Sequence, residues 1–278
     1  MQRLDANRLT EQQFLDQYNP GDFPRPSVAA DIVIFSVVDL IVDNYRKLPE
    51  KELQVLLIRR GGHPYIGQWA LPGGFVHPSE TVGEAANREL SEETGIRSGY
   101  LEQLYTFSQP GRDPRTWVIS CAHMALINSN RLKLKAGTDA DDARWFTLKA
   151  ESQSDSIQLS LSNEVIQLTS TVTMVHDNTR SRIIENNGLA FDHAMIIAYA
   201  IQRLRAKMEY TDLAFSLLPE RFTLTELQRV YEIVLGKPLL KAAFRRKIKD
   251  LVIGTDEYTQ NAGYRPSQIF IRKGQEKR

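Results

Sequence analysis

The spacing of apolar residues divides the 278-residue chain into a strand-rich first half and a more helical end. Ala29 to Val42 and Leu53 to Arg59 are β-branched runs separated by the polar stretch Asp43 to Glu52, which predicts a hairpin with a long connection. Trp69 to Phe75 is a short apolar run broken by Pro72-Gly73-Gly74, a strand running into a loop. The period then changes: Val82, Ala86 and Leu90 recur every four residues and make the apolar stripe of a helix. Tyr100 to Phe107 and Trp117 to Ile127 read as further strands, and Ala143 to Leu148 as the strand that closes a mixed sheet. Glu151 to Asn187 is rich in Ser, Thr, Gln and Asn, with Ile157, Leu159 and Leu161 alternating, and reads as a polar linker or an added hairpin. Such an insert serves a dimer contact or is simply a surface loop. Asp192 is expected to cap a helix reaching about Lys207, with Ala198, Ile201, Leu204 and Met208 on one side and His193 as a structural hydrogen-bonder.

The last sixty or so residues read as a separate unit. Thr223 and Glu226 have capping-box spacing for a helix that stops at Gly236. A second helix, roughly Leu240 to Leu251, would turn Leu240, Phe244, Ile248 and Leu251 inward and Lys241, Arg245 and Lys249 outward, joined by Arg246 and Lys247. Short strands around Val252–Ile253 and Gln268–Ile271 flank a loop that ends at Arg265. Helix, turn, basic helix and β-wing are the parts of a winged helix.

Composition narrows the class. With 42% apolar and 25% charged residues, the chain suits one large or two modest folded domains. No stretch has the length and apolarity of a membrane span, and the N-terminus lacks the apolar core of a signal peptide, so a cytoplasmic address is expected. Cys121 has no second cysteine to pair with and lies in a strand, as a core residue. From Arg221 onward there are 13 Lys and Arg against 6 Asp and Glu, about +7, although the whole chain carries only +1. That asymmetry is the footprint of a nucleic-acid binder, or of an ordinary solvated basic face. The DNA-contacting candidates are Lys241, Arg245, Arg246, Lys249 and Arg265.

The chemistry concentrates in Gly74 to Ile96, GFVHPSETVGEAANRELSEETGI. Glu89, Glu92 and Glu93 fall on one helical face, where like charges repel unless Arg88 or a hard divalent cation, Mg²⁺ or Mn²⁺, neutralises them. The glycines before the helix allow close approach of backbone to an anion, or offer a carbonyl to a metal. This segment resembles a Nudix box, with Gly74, Glu80, Arg88, Glu89, Glu92, Glu93 and Gly95 at the family's spacing and Leu90 and Ile96 at its aliphatic positions.

The resemblance implies an α+β chain: a Nudix α/β/α sandwich with a mixed sheet, followed by a winged helix-turn-helix domain. The expected boundaries are 1–27 for an N-terminal extension, 28–150 for the Nudix domain, 151–190 for the linker or hairpin, and 191–278 for the helical and winged-helix part. It implies metal-dependent hydrolysis of a nucleoside diphosphate derivative, ADP-ribose to AMP and ribose 5-phosphate being the leading case. Glu89, Glu92 and Glu93 would ligate the metal, the Gly73 carbonyl would be a further ligand, and Arg88 and Glu80 would orient the carboxylates. The general base is one of these glutamates or an acid among Asp139, Asp141 and Asp142. Arg112 and Arg115, in a loop common in ADP-ribose-type members, would meet substrate phosphate. Trp69, Phe75 and Trp117 either stack on a nucleobase or belong to the core.

A Nudix domain followed by ELQRVYEIVLGKPLLKAAFRRKI and the wing GYRPSQIFI is similar to the Nudix-related transcriptional regulators of NAD metabolism. Some members of that family lack the catalytic glutamates and only sense ADP-ribose or a related nucleotide. This chain keeps all three, so hydrolysis leads and effector-responsive binding of double-stranded DNA is the alternative. A homodimer is expected under both, since helix-turn-helix readers bind paired half-sites.

Overall fold

The computed structural model describes residues 4–40, 50–96, 99–128, 140–174, 181–259 and 266–274, with backbone alone at 140 and 141. Its frame is a mixed ten-stranded sheet. Strand β1 (Ser27–Asp39) pairs antiparallel with β2 (Lys51–Arg60), the expected hairpin, and parallel with β6 (Val118–Asn128). The Trp69–Phe75 run is two short strands, β3 (Trp69–Ala70) against β2 and β4 (Gly73–Phe75) against β1. Strand β5 (Tyr100–Phe107) is one edge.

Ala143 to Leu148 does not close this sheet. It is the middle of a long strand, β7 (Ala140–Gln153), which continues into β8 (Ser156–Ser162), β9 (Gln167–Thr173) and β10 (Arg182–Asn187). The strand order is β10-β9-β8-β7-β2-β1-β6-β5. The described residues of 151–190 are therefore largely strand, β8 and β9 forming an added hairpin, and the polar composition reflects the exposed face of alternating strands. Ile157, Leu159 and Leu161 point inward and are fully buried.

Side-chain parity assigns each face of the sheet to a different partner. Ala30, Ile32 and Ile34 of β1, Leu56 of β2 and Ala125 and Ile127 of β6 pack with Ala85, Ala86 and Leu90 of helix α2 (Val82–Thr94). Helix α1 (Glu11–Gln17), in the N-terminal extension, buries no residue. The intervening residues Val33, Phe35, Leu53, Val55, Met124 and Leu126 face helix α3 (His193–Tyr210) in a second core. Both faces are covered, which is why these central strands are nearly continuous apolar runs. Thr81 starts α2 with a capping box: its hydroxyl accepts from the Glu84 amide at 3.2 Å while Glu84 accepts from the Thr81 amide at 2.7 Å.

A short 3-10 turn (Leu213–Leu217) leads from α3 into the winged helix: β11 (Phe222–Thr223), α4 (Leu224–Leu235), α5 (Lys241–Ile248), β12 (Val252–Tyr258) and β13 (Gln268–Arg272), the strands ordered β11-β13-β12. Thr223 and Glu226 form the expected box, and Gly236 ends α4 in the left-handed conformation. Leu227, Val230, Tyr231 and Val234 of α4 join the same core as α3 and the sheet. Among the described residues, no helix is long and apolar enough to cross a membrane.

Three local expectations are corrected. Leu240 is the first flanking residue of α5 and is 81% exposed, because the helix begins only at Lys241. Asp192 does not cap α3 with its side chain; another partner claims its carboxylate. Cys121 is half-buried on β6 beside the Thr106 hydroxyl, and so stands at the margin of the core.

Candidate functional site

A cleft of about 930 Å³ opens where β1, β2, β4, α2, the loop before β6 and the start of α3 meet. Helix α2 contributes Arg88, Glu89, Glu92 and Glu93, because the i, i+3, i+4 spacing puts them on the face away from the sheet-packing stripe. Arg88 is the hub. Its Nε and Nη2 donate to Glu80 at 3.1 and 2.8 Å, its Nη1 donates to Glu89 at 2.6 Å, and Glu92 lies 3.7 Å away. Hydrogen bonding from Arg88, with the His77 amide, pulls the Glu80 carboxyl down to about 2. Glu80 itself does not line the cleft. Burial pushes the Glu89 carboxyl above its ordinary value despite the Arg88 contact.

The glycine loop fits around these groups. A Cβ on Gly74 would sit 2.1 Å from Glu89 Oε1, and one on Gly73 would sit 2.5 Å from the Ala30 carbonyl oxygen. Only glycine allows the carboxylate to lie against this backbone. Three carboxylates and a loop carbonyl are the hard oxygen donors that Mg²⁺ or Mn²⁺ takes, so the donor set suits such a cation. Among the described residues, however, no three acidic, His or Cys side chains are gathered closely enough to hold a metal, and Glu89 is turned to Arg88.

Arginines bring positive charge to the same cleft. Arg112, with its side chain 5% exposed, donates from Nε and Nη2 to Asp192 at 2.9 and 2.6 Å and lies 3.5 Å from Asp31. Burial opposes its charge, but the two carboxylates win and raise its pKa. Arg115 is bidentate to Asp113 at 3.0 and 2.7 Å and lies over the rings of Phe75 and Phe191, 5.4 and 5.8 Å from their centroids. Against the upward push of burial, Arg115 holds the Asp113 carboxyl below its usual range. Arg60 covers Phe191 at 5.0 Å and donates to the Pro64 carbonyl at 2.7 Å.

His193 is buried under the cleft. Its Nδ1 accepts from the Leu71 amide at 2.8 Å, so the proton of the neutral ring is on Nε2, 3.9 Å from Asp31. Burial pushes its pKa down, which keeps it neutral. Phe191, two residues earlier, has φ +52, a left-handed conformation that costs a bulky residue on the order of 1 kcal/mol and is held by Tyr65 at 4.7 Å and by the two arginines.

The structure thus brings together Gly73, Phe75, Arg88, Glu89, Glu92, Glu93, Arg112 and Arg115. Trp117 does not line the cleft; it is exposed just before β6. Trp69 is a core residue, edge-on to Phe146 at 4.8 Å. Of the acids considered as a base, Asp142 pairs with Arg144 at 2.6 Å outside the cleft, Asp139 lies outside the described residues, and Asp141 is described by its backbone only. Asp31, Arg60 and Phe191 were not singled out in the sequence. Asp31 carried a signal, a lone charge inside the apolar run Val28 to Val38; Phe191 carried none.

The second candidate surface is α5. Phe244 and Ile248 anchor it in the core, and Lys241, Arg245, Arg246 and Lys249 are exposed, while Arg265 lies outside the described residues. Lys247 departs from the outward pattern: its Nζ donates to the Met208 carbonyl at 3.2 Å and lies 5.0 Å from the Tyr231 ring centroid. Between the helices, Gln228 donates to the Leu239 carbonyl at 3.0 Å and Glu232 accepts from the Leu239 amide at 2.9 Å, fixing the turn.

Residues 37–161 match the NUDIX domain model, and residues 214–271 match the NrtR DNA-binding winged helix domain. The chain is 36% identical over 270 residues to the ADPR responsive transcriptional repressor NtrR of Acinetobacter baylyi, covering 96% of this chain and 90% of that one. A MutT/nudix family protein from Enterococcus faecalis superposes with a TM-score of 0.70 at 31% identity, covering 95% and 94% of the two chains. The Shewanella oneidensis NrtR complexed with a 27mer DNA superposes with a TM-score of 0.61 at 29% identity, covering 88% and 93%. With a Nudix domain and an NrtR-type winged helix in one chain, and this likeness running almost end to end, the protein belongs to the NrtR family of Nudix-related regulators.

Proposed function

We propose that this protein is a transcriptional repressor that binds double-stranded DNA through its winged helix and ADP-ribose through its Nudix cleft, with genes of NAD metabolism as its targets. The observation that carries the proposal is α5, a helix held by Phe244 and Ile248 that presents Lys241, Arg245, Arg246 and Lys249 to solvent, in a chain similar over nearly its full length to an ADP-ribose-responsive repressor. Such a helix supplies both phosphate neutralisation and side chains for base edges. Paired half-sites would make the active form a homodimer.

This order reverses the expectation drawn from the glutamates alone. Hydrolysis is kept as a second reading because Glu89, Glu92, Glu93 and Gly73 share the cleft. In that reading they hold Mg²⁺ or Mn²⁺, which would neutralise diphosphate oxygens during attack by water. A protein that consumes its own effector can still be a repressor.

The test is fluorescence anisotropy with duplexes from promoters of NAD-metabolism genes, across a salt series. Sequence-preferring binding weakened by ADP-ribose is expected. Arg245→Ala with Arg246→Ala should flatten the log–log salt slope by up to about 1.8, the value for two phosphate contacts. An unchanged affinity and slope would remove α5 from the DNA interface. In parallel, Mg²⁺-dependent release of AMP from ADP-ribose that vanishes in Glu93→Gln would establish hydrolysis; no release would leave the cleft a sensor.

A further inference from the structure

Helix α3 touches both candidate sites. Its 18 residues span about 27 Å at 1.5 Å per residue. At the start, Asp192 gives its carboxylate to buried Arg112 rather than to the helix N-terminus, and His193 and Phe191 line the cleft. Toward the far end, Arg205 Nε donates to the Val234 carbonyl in the last turn of α4 at 3.0 Å, and its Nη2 donates to the Ala150 carbonyl on β7 at 2.6 Å. One turn on, the Met208 carbonyl accepts from Lys247 of α5. Each helix of the helix-turn-helix is thus hydrogen-bonded to α3.

Resting on the effector reading above, we propose that α3 is the link between the cleft and the winged helix, with the Arg112–Asp192 pair as the latch at one end and Arg205 as the coupling residue at the other. A diphosphate offers a guanidinium the same bidentate pairing as a carboxylate and carries more charge. When effector oxygens take Arg112, Asp192 loses its counter-charge next to Asp31, and repulsion between the two carboxylates favours displacement of the α3 start. The helix is packed along most of its length, so it moves as a body and not by local bending. Arg205 has no carboxylate partner among the described residues; its charge is met by the Val234 carbonyl at the negative end of α4, the Ala150 carbonyl and the Ser152 hydroxyl at 3.4 Å. It fixes α4 relative to both α3 and the sheet. A hydrophobic residue there would fill space without specifying that position.

Coupling is reciprocal, so it is read as two ratios: the DNA Kd with and without saturating ADP-ribose, and the ADP-ribose Kd with and without DNA. Anisotropy and calorimetry on the full chain measure both. The unsubstituted protein should show equal ratios of roughly 5- to 150-fold, the usual range for such coupling. Arg205→Gln should bring both within about twofold of one, while its ADP-ribose affinity alone stays within about threefold of the original. A role confined to stability would lower Tm and leave the ratios unchanged. Asp192→Asn, at the other end, removes one of the two repelling carboxylates and should likewise bring both ratios toward one, and it decides the matter if Arg205→Gln does not fold. Retained ratios in either folded variant overturn the proposal alone. A ratio of one in the unsubstituted protein overturns the effector reading, and the proposal with it.

Discussion

Arg112→Met tests whether the centre of the cleft is held by charge. The substitution keeps most of the apolar stem and removes the guanidinium from between Asp192 and Asp31, whose side chains are only 12% and 13% exposed. Breaking a buried pair by deleting one partner costs roughly 3–5 kcal/mol, because the other charge stays behind. Urea unfolding followed by tryptophan fluorescence should therefore show a loss of about 3–5 kcal/mol at pH 7.5. Adding Asp192→Asn should recover roughly 1–3 kcal/mol of it, as a double-mutant cycle for contacting groups. A variant within about 0.5 kcal/mol of the parent, or a loss that Asp192→Asn leaves untouched, would refute this account.

Two carboxylates in the same cleft should have opposite pH signatures. Asp113 is held below its ordinary 3.8, so its stabilisation is fully present above that value and is lost as pH falls through the folded one; the advantage over Asp113→Asn in thermal melts should fade in acid. Glu89 is held above its ordinary 4.5 by burial, so its ionisation opposes folding at neutral pH and that penalty disappears as pH falls below 4.5. Glu89→Gln should therefore melt higher than the parent at pH 7 without metal and show no gain below pH 4.5; a gain that persists in acid would mean that burial of the charge is not the cause. In the winged helix, Thr223→Ala removes the cap of α4 and should cost about 1 kcal/mol in urea unfolding, whereas Thr223→Ser should be nearly silent; equal losses from both would point to the packing of β11 instead of the cap.

The parts legible in the sequence were those governed by local rules. The β1–β2 hairpin, α2 with its three glutamates, and α4 between Thr223 and Gly236 each follow from period and end signals that a short window contains. The polar stretch after Glu151 was ambiguous because alternation on an edge-side sheet leaves half its residues in water, and only the paired neighbour distinguishes strands from a linker. Asp192 looked like a cap because a helix follows it. A partner 80 residues earlier in the chain, Arg112, takes its carboxylate instead, and no local window shows that. Lys247 has the same origin: its neighbours face water, but the end of α3 stands within reach of its amine. Phe191 reached the cleft through a backbone conformation that its residue type does not announce.

Strand β1 sits between the two halves of the molecule's work. Ile32 and Ile34 pack with the helix that carries the glutamates, and Val33 and Phe35 with the core that carries the winged helix. Residues adjacent in the chain therefore answer to different constraints, and a one-residue slip of this strand would exchange them all at once. From Ile32 to Phe35, drift in the even-numbered positions can retune the seat of the glutamate helix, and drift in the odd-numbered ones the seat of the DNA reader, each with little direct disturbance of the other. Descendants of such a chain could let the chemistry of one face decay while keeping the architecture of the other.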